Sequence, residues 1–169
     1  MLIRSYEDRD KHVVRALFIR VNRELAPASM QNDFENYIER SLEEEIDRIP
    51  EYYEEHGGGF FVAERAGVLV GMYGLERSDA QSAELRRMYV APGARRTGIG
   101  RALLMDAEMQ CRTNGFKVLV LSTSELQKEA LALYRSSGFE LLHEEVASAR
   151  SNKQVGSGLR RFHFRKVLR

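Results

Sequence analysis

The sequence predicts an α/β fold: one mixed sheet with helices on both faces. Three observations carry that expectation. Segments rich in β-branched and aromatic residues alternate with segments whose apolar residues recur at helical spacing. Their order is one strand, two helices, three strands, then helix, strand, helix and two strands. Gly, Pro and Asn mark the junctions between them.

Residues 2–6 read as a short first strand. Asp8 or Asp10 is placed to cap the next helix, whose buried side is Val14, Leu17, Phe18, Val21 and Leu25. Pro27 breaks it. Asp33 is a candidate cap for a second helical region, with Phe34, Tyr37, Ile38, Leu42, Ile46 and Ile49 as its apolar side. Pro50 interrupts that region, and Tyr52-Tyr53 belong to a short continuation. His56-Gly57-Gly58-Gly59 is a loop signal. Residues 60–64 and 68–73 read as strands joined at Ala66-Gly67. A polar loop over 77–82 leads to a strand over 84–90, which Pro92-Gly93 ends. Gly100, Leu103, Leu104, Ala107 and Cys111 share one helix face, and Asn114-Gly115 stops that helix. Residues 116–121 read as a buried strand. Leu126, Ala130, Leu133, Tyr134 and Ser137 mark another helix face, ended by Gly138. Residues 139–146 and 159–167 form two final strands, with an exposed polar loop over 148–158 between them.

A chain of 169 residues is expected to form a single domain over 1–169. Hydrophobic residues make up 43% and charged residues 30% of it, a globular composition. The net charge of +1 offers no global attraction for nucleic acid or a membrane surface. Arginine pairs at 86–87, 95–96 and 160–161 are local anion-binding candidates. No apolar run is long enough to span a bilayer, and the first residues lack a signal peptide's apolar region. A cytoplasmic location is therefore expected. One cysteine rules out an intrachain disulfide. The four histidines show no metal-site spacing, so no metal is expected.

The most informative stretch is Arg95-Arg96-Thr97-Gly98-Ile99-Gly100. It lies between the strand Glu84-Leu85-Arg86-Arg87-Met88-Tyr89-Val90 and a helix beginning near Gly98. Free backbone N–H groups at a helix N-terminus point at anions, and the helix dipole favours negative charge there. The glycines allow close backbone approach. Arg95, Arg96 and Arg101 can add charge-assisted hydrogen bonds. A Walker A loop is excluded because no Gly-Lys-Ser/Thr run occurs. A Rossmann fingerprint fits poorly because Leu103 stands where a third small residue belongs.

The Arg-x-x-Gly-x-Gly run resembles the acyl-CoA signature of the GNAT N-acetyltransferase superfamily. A second element, Gln127-Lys128-Glu129-Ala130-Leu131-Ala132-Leu133-Tyr134 followed by Ser137-Gly138-Phe139, resembles that family's Asn-x-x-Ala-x-x-Leu-Tyr…Gly-Phe element. Both occur in order with a strand between them. The resemblance covers essentially the whole chain and implies a mixed, mostly antiparallel sheet of about seven strands. It implies acetyl-CoA as cosubstrate and a primary amine, small molecule or peptide, as acceptor.

By the same resemblance, Met88, Tyr89 and Val90 hold the pantetheine arm through backbone groups. Backbone groups of Arg96, Thr97, Gly98, Ile99, Gly100 and Arg101 hold the pyrophosphate, with the Arg95 and Arg96 side chains within reach of it. Gln127 replaces the family's asparagine as a cofactor contact. Tyr134 is the candidate general acid for the departing thiolate, and a core tyrosine is the structural alternative. Glu84 is the candidate general base; its alternative is an ion pair with Arg86 or a nearby lysine. Strand alternation places Glu84, Arg86, Met88 and Val90 on one face. Ser122, Thr123 and Ser124 are further polar candidates, with helix capping as the alternative for Ser124.

Cys111 reads as core packing, not a nucleophile. Residues 25–59 are expected to shape the acceptor site. Their acidic residues, Glu35, Glu39, Glu43, Glu44, Glu45, Glu51, Glu54 and Glu55, read first as a solvated face and second as an attraction for a cationic amine. A homodimer accords with family habit and the terminal strands. The competing functional class is an acyl-CoA-binding sensor or interaction module without turnover.

Overall fold

The computed structural model describes residues 1–169. Seven strands form one sheet: β1 Leu2–Ser5, β2 Gly59–Arg65, β3 Val68–Arg77, β4 Ser82–Val90, β5 Val118–Ser124, β6 Glu140–Ala147 and β7 Leu159–Val167. Their spatial order is β1-β2-β3-β4-β5-β7-β6. Every neighbouring pair is antiparallel except β4 with β5. The helices are α1 Lys11–Leu25, α2 Gln31–Glu44, α3 Ile49–Glu55, α4 Ile99–Thr113 and α5 Lys128–Ser136. The mixed, mostly antiparallel sheet with helices on both faces agrees with the sequence expectation. No helix is long and apolar enough to cross a membrane.

Two apolar layers fasten the helices to the sheet. On one face Val14, Phe18 and Ile38, from α1 and α2, pack with Val62 and Met72. On the other, Leu103, Leu104 and Ala107 of α4 and Leu131 and Tyr134 of α5 meet Tyr73, Leu85, Leu119 and Phe164. Burying each large apolar side chain contributes about 1.5–3 kcal/mol.

The expected punctuation is present with local differences. Asp10 precedes α1, but its carboxylate accepts from Arg4 at 2.8 and 2.9 Å and from the Glu7 N–H at 2.8 Å. It therefore ties β1 to the helix entry and caps no N–H of α1. Asp33 lies inside the first turn of α2 and does not cap it. Pro50 starts α3, where its missing N–H is harmless. Ala66 and Gly67, at φ +51° and +77°, make the tight turn between β2 and β3.

Two departures from the sequence reading shape the site. First, β4 carries a bulge. Arg87 adopts φ +54°, and the register against β3 slips between Met72 and Gly74. Strict alternation would put Glu84, Arg86, Met88 and Val90 on one face, and this is corrected. Arg86 and Arg87 both turn toward the α2–α3 side, whereas Met88 and Val90 pack on the α4–α5 side. Second, residues 148–158 are not simply an exposed loop. Val155 is buried, and the Asn152 carbonyl accepts from Arg86 at 3.3 Å and Arg87 at 2.6 Å. The segment closes over the face that bears α1–α3.

Candidate active site

The site lies where β4 and β5 part. Their parallel pairing covers only Ser82–Val118, Ala83–Leu119 and Glu84–Val120. Beyond it β5 stays with β7 as far as Ser124, while β4 bends away at its bulge. The β5-facing edge of β4 past Glu84 thus has no strand partner, and its polar backbone groups are available to a ligand.

On the α4–α5 side the gap opens into a groove of about 600 Å³. Met88, Tyr89, Val90, Arg95, Arg96, Gly98, Ile99, Gly100, Arg101 and Gln127 all line it. Gly98, at φ +84°, caps α4 in a conformation an L side chain rarely adopts. Arg95 N–H donates to Pro92 O and Ala102 N–H to Gly98 O; the six N–H groups between them donate to no backbone carbonyl. Six free donors at the start of a 15-residue helix make a backbone cradle, an arrangement that favours an anion. Gly100 faces Leu133 across the groove, and a Cβ added there would lie 3.4 Å from it.

The arginines divide. Arg95 pairs with Glu24 of α1 at 3.4 Å, a bridge across the groove mouth. Arg96 and Arg101 are exposed and carry no ion pair, so both are free to meet phosphate. The Thr97 hydroxyl donates to Ala94 O at 2.6 Å and accepts from Arg65 at 3.3 Å. Its side chain fixes the loop, leaving only its backbone N–H to the cradle. Gln127 is also partly committed. Its side-chain oxygen accepts from Thr123 Oγ1 at 2.7 Å and Ser124 N–H at 3.3 Å, so it closes the β5–α5 turn. Ser124 Oγ accepts from the Leu126 N–H at 3.3 Å and serves the same turn.

On the other side of the gap is a smaller cavity, about 90 Å³, lined by both catalytic candidates, Glu84 and Tyr134. Leu25, Met88, Tyr89 and Gln127 line the cavity and the groove alike, making them neighbours through the gap. Tyr134 is 6% exposed. Its ring packs 5.8 Å from Phe139 and 6.1 Å from Phe164. Burial, with a smaller contribution from Tyr89, pushes its phenol pKa well above the ordinary value. The phenol therefore keeps its proton throughout the neutral range.

Glu84 is ion-paired, as its structural alternative anticipated, but with Lys153 at 2.9 Å and not with Arg86. Lys153 also reaches Glu76 at 2.7 Å. Arg86 lies 2.9 Å from both Glu45 and Glu76. Arg87 meets Glu45 at 2.9 and 3.1 Å and donates to the Tyr37 hydroxyl at 2.7 Å. Burial opposes charge on Glu45, but Arg87 and Arg86 outweigh it and hold the carboxyl below its usual range. Glu76 follows the same pattern: burial raises it, and Arg86 and Lys153 bring it down. Tyr52, between Glu76 and Arg86, is pushed up to about 12, mainly by burial.

Sequence reasoning missed Glu76, Asn152 and Lys153 as site residues; it named Arg161 within an anion-binding arginine pair and Glu45 within an acidic region, without placing either in this cavity. The solvated-face reading holds for seven of the eight acidic residues and fails at Glu45, which is 0% exposed. A signal existed: Phe34, Tyr37, Ile38 and Glu45 stand at i, i+3, i+4 and i+11 on one helical stripe. Cys111 is fully buried, and burial pushes its thiol up to about 12. A thiol reagent at neutral pH should therefore leave Cys111 unlabelled in the native protein and label it once denaturant is added. Stoichiometric labelling without denaturant, followed by intact mass, would contradict this burial.

An open seven-stranded sheet that splits between β4 and β5, with a cradle of free N–H donors on one lip, defines an acetyltransferase-type scaffold. The chain belongs to the acetyltransferase (GNAT) family, whose model matches residues 23–139. The N-acetyltransferase YjgM of Escherichia coli, itself described as uncharacterized, is 37% identical over 98 residues, 56% of this chain and 59% of that protein. N-acetyltransferase family 8 member 3 of Rattus norvegicus is 38% identical over 116 residues, 63% of this chain and 50% of that protein. The chain thus spans about half the length of these curated relatives. Among solved structures, a ribosomal-protein-alanine N-acetyltransferase from Brucella melitensis superposes with a TM-score of 0.74 at 26% identity, covering 99% of this chain and 100% of that one. The yncA protein of Salmonella typhimurium, solved with its cofactor acetyl-CoA, superposes at 0.73 with 20% identity, covering 100% of this chain and 94% of that one.

Proposed function

We propose that residues 1–169 act as a single domain that transfers the acetyl group of acetyl-CoA to a primary amine by direct attack in a ternary complex. One observation carries this reading: a groove with six free backbone N–H donors meets, through the β4–β5 gap, a cavity holding a buried protonated phenol and a carboxylate. The groove fits a CoA-type donor. The cradle from Arg96 to Arg101 would take the diphosphate, with Arg96 and Arg101 adding charge. The free edge of β4 at Met88, Tyr89 and Val90 would take the pantetheine arm. Bound acetyl-CoA would supply the acetyl group as an activated thioester.

The chain's own groups do the rest. Glu84 accepts the proton released by the amine, directly or through water. Backbone donors near Met88 face the charge that develops on the carbonyl oxygen. Tyr134 holds the proton the departing sulfur requires. The acceptor enters from the α1–α3 side and the donor from the α4–α5 side. A cytoplasmic setting, where acetyl-CoA is made and used, accords with this chemistry.

The test is incubation with acetyl-CoA and a broad panel of amines, recording thiol release and product mass. An amine-dependent mass gain matching acetylation supports the assignment. Tight acetyl-CoA binding with no product from any amine would favour the sensor reading, which the Glu84–Lys153 ion pair keeps in contention. Glu84→Gln should slow amine-dependent thiol release by at least about tenfold and reshape its pH profile. An unchanged rate and profile would remove Glu84 as the base.

A further inference from the structure

Four cationic side chains line the acceptor cavity: Arg86, Arg87, Lys153 and Arg161. Three carboxylates answer them. Glu45 holds Arg86 and Arg87, Glu76 holds Arg86 and Lys153, and Glu84 holds Lys153. The network closes on itself, and one cation is left over. Arg161, on β7, has a single side-chain hydrogen bond, 2.8 Å to the neutral hydroxyl of Ser122. Its cross-strand neighbour Glu145 is engaged by His163 at 2.9 Å. Its chain neighbour Arg160 is exposed and lies 3.7 Å from Glu144, so the two members of the pair differ sharply.

The surroundings of Arg161 do not suit an unanswered charge. Burial lowers its pKa, and the groups that push it back up are Tyr37, Tyr89, Glu145 and Glu84. Tyr37, Tyr89 and Glu84 line the same cavity. A half-buried guanidinium gains most from a planar anion that takes two parallel N–H bonds. The cavity wall presents such a fork on the side from which the acceptor comes, with no carboxylate of the protein on it.

We propose that Arg161 is the anion-recognition residue of the acceptor site, and that the acceptor is a small primary amine bearing a carboxylate. This rests on the acetyl-transfer reading for the amine and on the geometry alone for the carboxylate. Carboxylate bound at Arg161 completes the charge balance of the cavity and orients the amine toward Glu84 and the β4–β5 gap. A polyamine such as spermidine would bring further positive charge to Lys153 and Arg161, and should be a poor acceptor.

The experiment compares amino acids with their own carboxamides, and with spermidine, in the wild-type protein and in Arg161→Gln and Arg161→Lys. Two quantities are read: kcat/KM for acetylation, and binding of the unacetylated compounds to the CoA-loaded protein by calorimetry. The wild type should prefer carboxylate over carboxamide by roughly tenfold or more, as expected for a charged hydrogen-bonded pair. Arg161→Gln should erase that preference, and Arg161→Lys should restore part of it. Acetylation of carboxamides or spermidine as efficient as that of carboxylates would overturn the inference while leaving acetyl transfer intact. Arg161-dependent carboxylate binding without turnover of any amine would do the reverse: the anion site would stand and acetyl transfer would fall. Absence of both preference and Arg161-dependent binding would also overturn it. Circular dichroism of each variant separates loss of binding from loss of fold.

Discussion

Tyr134→Phe should lower kcat by roughly a hundredfold while changing acetyl-CoA affinity by less than about threefold. The substitution removes one oxygen from a ring already held by Phe139 and Phe164. Packing is retained, so the fold and the groove should persist. What disappears is the Tyr134 hydroxyl in the cavity, whose pKa burial holds well above its ordinary value. A protonated acid that keeps its proton at neutral pH is what a departing thiolate needs, because the group is fully in its donor form wherever the enzyme works. The sign follows directly. Activity that depends on the Tyr134 proton should be flat through neutral pH and fail only in strongly alkaline solution.

The measurement is steady-state kinetics beside a direct binding titration with acetyl-CoA. Equal kcat in the two proteins would reduce Tyr134 to a core residue, the role its helical spacing alone suggests. A large loss of acetyl-CoA affinity with kcat preserved would instead place it in donor binding.

The same contrast shows which parts of the molecule are legible in the sequence. The β4–α4 loop is legible because its chemistry is local: glycine at a left-handed cap and a helix start are written in adjacent residues, and Gly98 adopts the conformation its identity permits. The strand order and helix faces follow from periodicity, which averages over many residues. The bulge at Arg87 does not. It is one residue with φ +54°, and no repeat in the sequence marks it, yet it reverses the facing of Met88 and Val90. The role of residues 148–158 is also hidden. Their polar composition suits solvent, but Asn152 and Lys153 are there to answer Arg86, Arg87, Glu76 and Glu84, residues at least 65 positions away in sequence. Partners that meet only through the tertiary fold leave no local signature. Glu45 stands between these cases: its sequence spacing from Phe34, Tyr37 and Ile38 announced burial, while its neighbours Glu43 and Glu44 disguised it as part of a solvated run.

Glu45→Ala should therefore destabilise the protein by about 3–5 kcal/mol, the range for breaking a buried ion pair, and lower Tm by roughly 6–20 °C. Glu45 is fully buried, so solvent does not weaken its pairs. Removing it leaves Arg87 with the Tyr37 hydroxyl and the Asn152 carbonyl but no carboxylate, and Arg86 with Glu76 as its one remaining carboxylate beside the Tyr52 hydroxyl and the Asn152 carbonyl. Arg87 also occupies a backbone conformation that disfavours any side chain, which persists because four contacts fix the guanidinium. Relaxing that residue would let β4 straighten and repair strict alternation, turning Met88 away from the groove. The variant should accordingly lose acetyl-CoA affinity beyond what its lower stability explains, measured at a temperature where it remains folded. The pH dependence has a definite sign. The native carboxyl of Glu45 titrates below its ordinary 4.5, so its contribution is fully present above that value and disappears as pH falls through the native one. Wild type should lose stability on acidification more steeply than Glu45→Gln, which has no such proton to take up. Denaturant midpoints across that range decide the matter: parallel curves, or a Tm shift of less than about 2 °C for Glu45→Ala, would mean that Arg86 and Arg87 find other partners and that the bulge stands without the carboxylate beneath it.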